Sequence, residues 1–166
     1  MSLLKKQGFA LTELLVVLAI LAILLGIVSL NFGTWQKKYY IENQAKEMMA
    51  DFSNLRMSAI QTKNTYRAVL SANPQLITFR RYSTNEPVTS STGIETFRKN
   101  LKYPISNNPT GAPACADFQV DPRGFTWIGE TIYIQPTGTG AAVDCLVIST
   151  ARVNLGQYNG TSCIFK

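Results

Sequence analysis

Residues 5–13 read Lys-Lys-Gln-Gly-Phe-Ala-Leu-Thr-Glu, and they lead directly into the hydrophobic run LLVVLAILAILLGIVSL at residues 14–30. Only Gly26 and Ser29 in that run are not strongly apolar. The 22 residues from Phe9 to Leu30 would span about 33 Å as a helix, which matches a bilayer core of about 30 Å. Lys5 and Lys6 predict a cytoplasmic N-terminus, with the chain after the run outside the cytoplasm.

A plain membrane anchor does not explain Glu13, because an acid inside the bilayer costs roughly 2.5–3.5 kcal/mol. A cut between Gly8 and Phe9 would create a cationic α-amino group four residues before Glu13, which is one helical turn away. Glu13 would then neutralise the helix N-terminus or pair with the new terminus of a neighbouring subunit. The cut would therefore convert an anchor into an assembly element.

The stretch Lys6–Ile20, KQGFALTELLVVLAI, closely resembles the class III signal of type IV pilins and type II secretion pseudopilins. The resemblance implies that a prepilin peptidase cuts after Gly8 and N-methylates Phe9, and that Glu13 is the assembly residue. It also implies an inner-membrane protein with a periplasmic globular domain, which later joins a pilus or pseudopilus. The implied partners are other pilin or pseudopilin subunits, the prepilin peptidase and an inner-membrane assembly platform.

The helix is predicted to continue to about Lys63, because apolar residues recur at steps of three and four from residue 41 to residue 59. From Asn64 onwards the periodicity changes to two, and short strands separated by turns are predicted. They include Leu101–Ile105 and Phe125–Ile128, with an Asp-Pro-Arg-Gly turn at residues 121–124. The fold class is therefore α+β, a long N-terminal helix packed on an antiparallel β-sheet domain as in the pilin fold.

The chain is predicted to have four parts. They are a cleaved leader (1–8), a transmembrane or assembly half of the helix (9–30), an amphipathic half (31–63) and a globular β domain (64–166).

Three later segments resemble the GspH/FimT group of minor pilins and pseudopilins. They are Ser58–Asn64 at the predicted end of the helix, Asp121–Gly124, and Leu146–Val153. The group usually has a glycine before the arginine of the last segment, whereas this chain has Ala151 before Arg152. Alanine would be unfavourable there if the turn were left-handed. The resemblance implies a minor subunit.

The three cysteines, Cys115, Cys145 and Cys163, all follow the hydrophobic run, and the chain has no histidine. An exported domain favours oxidation. Because pilins and their relatives often carry a disulfide in the C-terminal region, the resemblance favours Cys145–Cys163, which would close a loop of about 19 residues and contribute roughly 3 kcal/mol. A pairing of Cys115 with either of the others remains the alternative.

No catalytic site is predicted. The six acids after residue 52 show no spacing typical of an acid–base pair, and Gly138-Thr139-Gly140 lacks the lysine and helix of a phosphate-binding loop. We therefore expect no enzymatic activity, no cofactor and no metal. The expected function is that of a minor type IV pilin, assembled into a pilus or at its tip.

Two alternatives remain open. A minor pseudopilin of a type II secretion system would use the same N-terminal chemistry. A DNA-binding minor pilin for natural transformation is suggested by the formal charge of +6 and by 11 Lys or Arg residues after residue 52, against the six acids. Only Arg152 and Lys166 among these basic residues lie at the C-terminal end, so no dense cluster supports nucleic-acid binding.

Overall fold

The computed structural model describes residues 11–71, 75–83, 87–89, 92–111, 117–127 and 129–166, without the side chains of residues 27–31. The chain divides into two compact units, Met1–Lys37 and Lys38–Lys166. The first unit contains the hydrophobic run, and the second contains the rest of the helix and the strands that the structure describes.

Helix α1 spans Leu11–Thr62, so its C-terminal end lies within one residue of the predicted end. The next residue, Lys63, has a positive φ of 56°. A residue in the left-handed conformation directly after the last turn is a common way to end a helix, because it brings backbone N–H groups onto the final carbonyls. Glycine is the usual residue at this position, and here the chain uses lysine.

Nine strands follow in the described part of the chain, and all of their pairings are antiparallel. They form a four-stranded sheet of order β3-β2-β1-β5 and a five-stranded sheet of order β4-β6-β7-β8-β9. The α+β class is thus confirmed, with two sheets in the domain. The strands are β1 (Thr65–Ser71), β2 (Leu76–Tyr82), β3 (Ile94–Asn100), β4 (Ile105–Ser106), β5 (Phe118–Val120), β6 (Glu130–Ile134), β7 (Cys145–Ile148), β8 (Val153–Tyr158) and β9 (Cys163–Phe165).

The core of the second unit forms where one face of α1 packs on the sheets. The predicted apolar positions of the helix are all buried, and Phe52 is fully buried. Its ring lies 5.0 Å from that of Phe118 and 6.4 Å from that of Phe79, measured between centroids. Strand β1 alternates between buried and half-buried side chains, as expected for a strand with one face on a core.

Two strand predictions are wrong. Leu101–Pro104 is not a strand, because the buried Gln44 side chain donates to the Tyr103 carbonyl (2.8 Å) and accepts from the Tyr103 N–H (2.9 Å). These bonds replace a strand ladder, and Pro104 has no N–H to offer. Residues 125–127 form only an isolated bridge, between Val120 and Thr126, and Ile128 lies outside the described residues.

Candidate functional site

The assembly segment is defined here as residues 11–26, the part of the hydrophobic run whose side chains are described. Glu13 lies in the first turn of the described part of α1. Its side chain is exposed. Gly8 and Phe9 lie outside the described residues, so the cleavage and methylation sites remain predictions.

The assembly segment exposes apolar side chains in every direction around the helix. Leu14, Leu15, Val16, Val17 and Leu18 are consecutive, and their exposed fractions lie between 48% and 61%. Because successive residues turn by about 100°, five of them cover the whole circumference. A helix that is apolar all round needs a cover, either lipid or other protein.

In the part of the chain that the structure describes, no helix meets the length and apolarity needed to cross a membrane.

The second unit brings together the three segments that resemble the GspH/FimT group. Arg56, two residues before the first segment, donates a hydrogen bond of 2.6 Å to the Ala151 carbonyl in the third segment. Ile60 packs directly on Gly124 of the Asp-Pro-Arg-Gly turn, where an added Cβ would lie only 2.7 Å from the Ile60 Cδ1. We call the meeting point of Arg56, Ile60, Gly124 and Ala151 the helix junction.

Hydrogen bonds stabilise the turn at Asp121 and join it to the turn Ser149–Arg152. Asp121 accepts from the N–H groups of Arg123 and Phe125 at 2.9 and 2.8 Å, so its side chain fixes the turn. Thr126 then donates its N–H to the Thr150 carbonyl at 2.9 Å and its hydroxyl to the Ser149 carbonyl at 3.0 Å. Segments far apart in sequence are therefore joined at the C-terminal end of α1.

Ala151 does not adopt a positive φ; among the described non-glycine residues that conformation occurs at Lys63. The turn Ser149–Arg152 closes with hydrogen bonds between the two end residues. The substitution of the usual glycine by alanine therefore introduces no backbone strain in this chain.

The disulfide joins Cys145 and Cys163, the pair that the resemblance favoured, with a Cα–Cα distance of 6.1 Å. It links β7 to β9 across the intervening strand β8, in which Gly156 lies opposite both Cys145 and Phe165. A Cβ on Gly156 would lie 2.5 Å from the Cys163 Sγ and 2.7 Å from the Ile164 carbonyl oxygen. Glycine is thus required where the disulfide crosses the strand, a role that the sequence reading missed. Cys115 lies outside the described residues.

The described acids of the domain have structural roles. Asp121 fixes its turn, and Asp144, which is 1% exposed, accepts from the Tyr158 N–H at 2.7 Å. Burial raises the pKa of the Asp144 carboxyl, although backbone N–H donors act in the opposite direction. The other three pair with polar or basic side chains: Glu95 with Arg98, Asp117 with Arg67, and Glu130 with Asn107.

Within the described ranges, no group of three or more acids or cysteines could hold a metal ion. Glu86, the sixth acid after residue 52, lies outside those ranges.

The comparisons with known proteins agree with this description. The family model for the prokaryotic N-terminal methylation motif matches residues 3–29, which contain Gly8, Phe9 and Glu13. No curated protein matches the sequence significantly.

Two solved structures of the minor pseudopilin EpsH from the type 2 secretion system of Vibrio cholerae have a similar fold. One is 15% identical, with a TM-score of 0.50 over 74% of this chain and 99% of that chain. The other is 13% identical, with a TM-score of 0.52 over 75% of this chain and 99% of that chain. The chain thus combines a match to the N-terminal methylation motif with a fold similar to that of a minor pseudopilin, as the sequence resemblance predicted.

Proposed function

We propose that the chain is a minor type IV pilin, a structural subunit that is anchored in the inner membrane, processed by a prepilin peptidase and assembled into a filament or its tip. The observation that carries the proposal is the assembly segment, a helix apolar in all directions with one acid in the first turn of its described part. Such a surface is stable in lipid before assembly and against sister helices afterwards.

Glu13 gives the assembly its register. Cleavage after Gly8 leaves a cationic, N-methylated amino group on Phe9. In the filament, the amino group of a neighbouring subunit would lie at the level of Glu13. A carboxylate among apolar side chains is costly unless a cation neutralises it. The pairing therefore selects one axial position of the helix over others one turn away.

The test is a matched pair of variants in a host with a functional pilus or secretion system. Gly8→Ala should leave the leader uncut, whereas Glu13→Ala should be cut normally but fail to enter sheared filaments. Glu95→Ala, an exposed acid of β3, is the control and should be processed and assembled like the unmodified chain. Normal processing of Gly8→Ala, or normal incorporation of Glu13→Ala, would contradict the proposal.

The second candidate function is that of a minor pseudopilin in a type II secretion system, which the likeness to EpsH favours. The two candidates share the N-terminal chemistry and differ in the machine that the subunit serves. Deletion of the gene should abolish piliation in the first case, and export of folded hydrolases in the second.

DNA binding remains the weakest candidate. Several of the basic residues after residue 52 are engaged within the domain: Arg67 pairs with Asp117, Arg98 with Glu95, and Lys99 with Glu47 and Asp51. Neutralised cations contribute little to phosphate binding. A gel shift at low salt with the full chain in detergent would revive this candidate if it showed a complex.

A further inference from the structure

Among the described residues of the second unit, Trp127 is the most exposed large hydrophobic residue, with 81% of its surface accessible. It follows Thr126, which forms the bridge to Val120 of β5. Val120 and Thr126 are both buried, so the neighbouring Gln119 and Trp127 lie on the opposite, outer face of the sheet. The exposed indole of Trp127 therefore offers an aromatic face on that side of the sheet.

A row of planar side chains crosses this outer face. Arg80 of β2 lies opposite Arg67 of β1, and Arg67 lies opposite Gln119 of β5. Trp127 extends the row beyond Gln119. We call these four residues the planar row.

A pocket of about 270 Å³ opens at the end of the planar row, lined by Arg67, Val88, Asp117, Gln119 and Trp127. This volume is close to the lower end of ligand-pocket sizes, about 300 Å³, and suits a single ring. The polar groups are a guanidinium, a carboxylate and a carboxamide, all planar and all able to form paired hydrogen bonds.

The polar wall of the pocket is preorganised. Arg67 donates from one terminal nitrogen to the Val88 carbonyl at 3.2 Å and from the other to the Asp117 carboxylate. The ion pair makes the wall electrically neutral and fixes both planar groups. Preorganised groups lose little conformational entropy when a ligand binds.

We propose that this pocket binds a neutral sugar ring of a polysaccharide, with Trp127 as the stacking platform. One face of a pyranose carries C–H groups with partial positive charge, and these groups pack on the electron-rich face of an indole. The hydroxyl or acetamido groups at the ring edge meet Gln119 and Asp117. A single-stranded nucleic acid would instead need a free cation for its phosphate, and the one cation that lines the described pocket is paired.

The chain has two tryptophans, so Trp35→Phe leaves Trp127 as the only tryptophan fluorophore. We would titrate this variant, as the full chain in detergent, with chitotetraose, a linear oligomer of N-acetylglucosamine. The expected result is a saturable blue shift of the emission, because a stacked sugar removes water from the indole. Gln119→Ala in the same background should weaken binding by roughly tenfold, which corresponds to about 1.4 kcal/mol.

The control is Phe165→Ala, which removes an aromatic side chain that is 60% exposed on the other sheet and should leave the affinity unchanged. A parallel titration uses an oligothymidylate, for which no saturable shift is expected. The proposal is overturned if chitotetraose gives no saturable shift at millimolar concentration, if Gln119→Ala binds it equally well, or if only the oligothymidylate binds.

Discussion

The two units of the chain place their apolar side chains in opposite ways. In the assembly segment, consecutive leucines and valines are about half exposed, whereas in the second unit the apolar face of the same helix is almost completely buried. The difference follows from the sequence pattern. A helix that is apolar all round has no polar face and must be covered by lipid or by another protein. A helix with apolar residues at steps of three and four has one apolar face, which packs on the rest of its own chain.

The largest loss of stability should come from removing a large buried side chain of the second unit. Phe52→Ala removes a fully buried ring that packs on two other phenylalanines. It should lower the free energy of unfolding of the domain by about 3–5 kcal/mol. Denaturant unfolding of the purified chain in detergent, followed by circular dichroism at the β-sheet signal, measures this change.

The matched control is Phe32→Ala in the first unit, where the side chain is 54% exposed. It should leave the unfolding midpoint of the domain unchanged. Equal losses in the two variants would mean that the division into a self-covered unit and an externally covered unit is wrong.

The next effect concerns the disulfide. Gly156→Val puts a branched side chain where even a Cβ would lie 2.5 Å from the Cys163 Sγ. We expect the bond between Cys145 and Cys163 to fail to form, with a loss of about 2–4 kcal/mol, the usual contribution of a disulfide. Thiol labelling under denaturing conditions would detect the two additional free cysteines.

Gly33→Ala is the control for this substitution, because nothing lies within 4 Å of a Cβ added there. It should keep the disulfide and the stability of the domain. A fully oxidised Gly156→Val protein of normal stability would show that β9 does not pass as close to β8 as described.

A smaller effect is expected at the bond between α1 and the segment before β4. Gln44→Ala leaves the N–H and C=O of Tyr103 without the side chain that satisfies both. Unpaired backbone groups cost about 1–3 kcal/mol, so the domain should lose that much stability. Hydrogen exchange at the Tyr103 amide should accelerate more than at the amides of β7. Unchanged protection of Tyr103 would argue against this contact.

The smallest effect is a gain. Lys63→Gly replaces a side chain in the left-handed conformation, φ 56°, by the residue that adopts it without steric cost. The domain should gain roughly 0.5–1 kcal/mol. Thermal unfolding measures the shift, and Lys46→Gly, at an exposed position inside the helix, should instead lower stability. A loss at both positions would place the end of the helix elsewhere.

The sequence predicted the features that depend on local pattern. The predicted end of α1 lies within one residue of the observed end, because the apolar period changes from 3.6 to 2 near Asn64. The turn at Asp121 was likewise readable, since proline and glycine at these positions have fixed conformational preferences.

The features that depend on contacts between residues distant in sequence could not be predicted. The segment Leu101–Pro104 has a strand-like composition, yet its backbone bonds to Gln44, a polar residue 59 positions away from Tyr103. The sequence around Gly156 did not indicate that the disulfide between Cys145 and Cys163 would lie against this glycine. The pocket at Trp127 joins Arg67 of β1 and Gln119 of β5 with Val88, Asp117 and Trp127, and the pairing of β1 with β5 places the two strand residues side by side.

We propose that the helix becomes an assembly element when the leader is removed. The direct test is intact-mass and N-terminal peptide mass spectrometry of the protein purified from a host with an active prepilin peptidase. We expect a mature chain that begins at Phe9 and carries one methyl group on its amino terminus. A mature protein that retains residues 1–8, or one cleaved after the hydrophobic run, would contradict it.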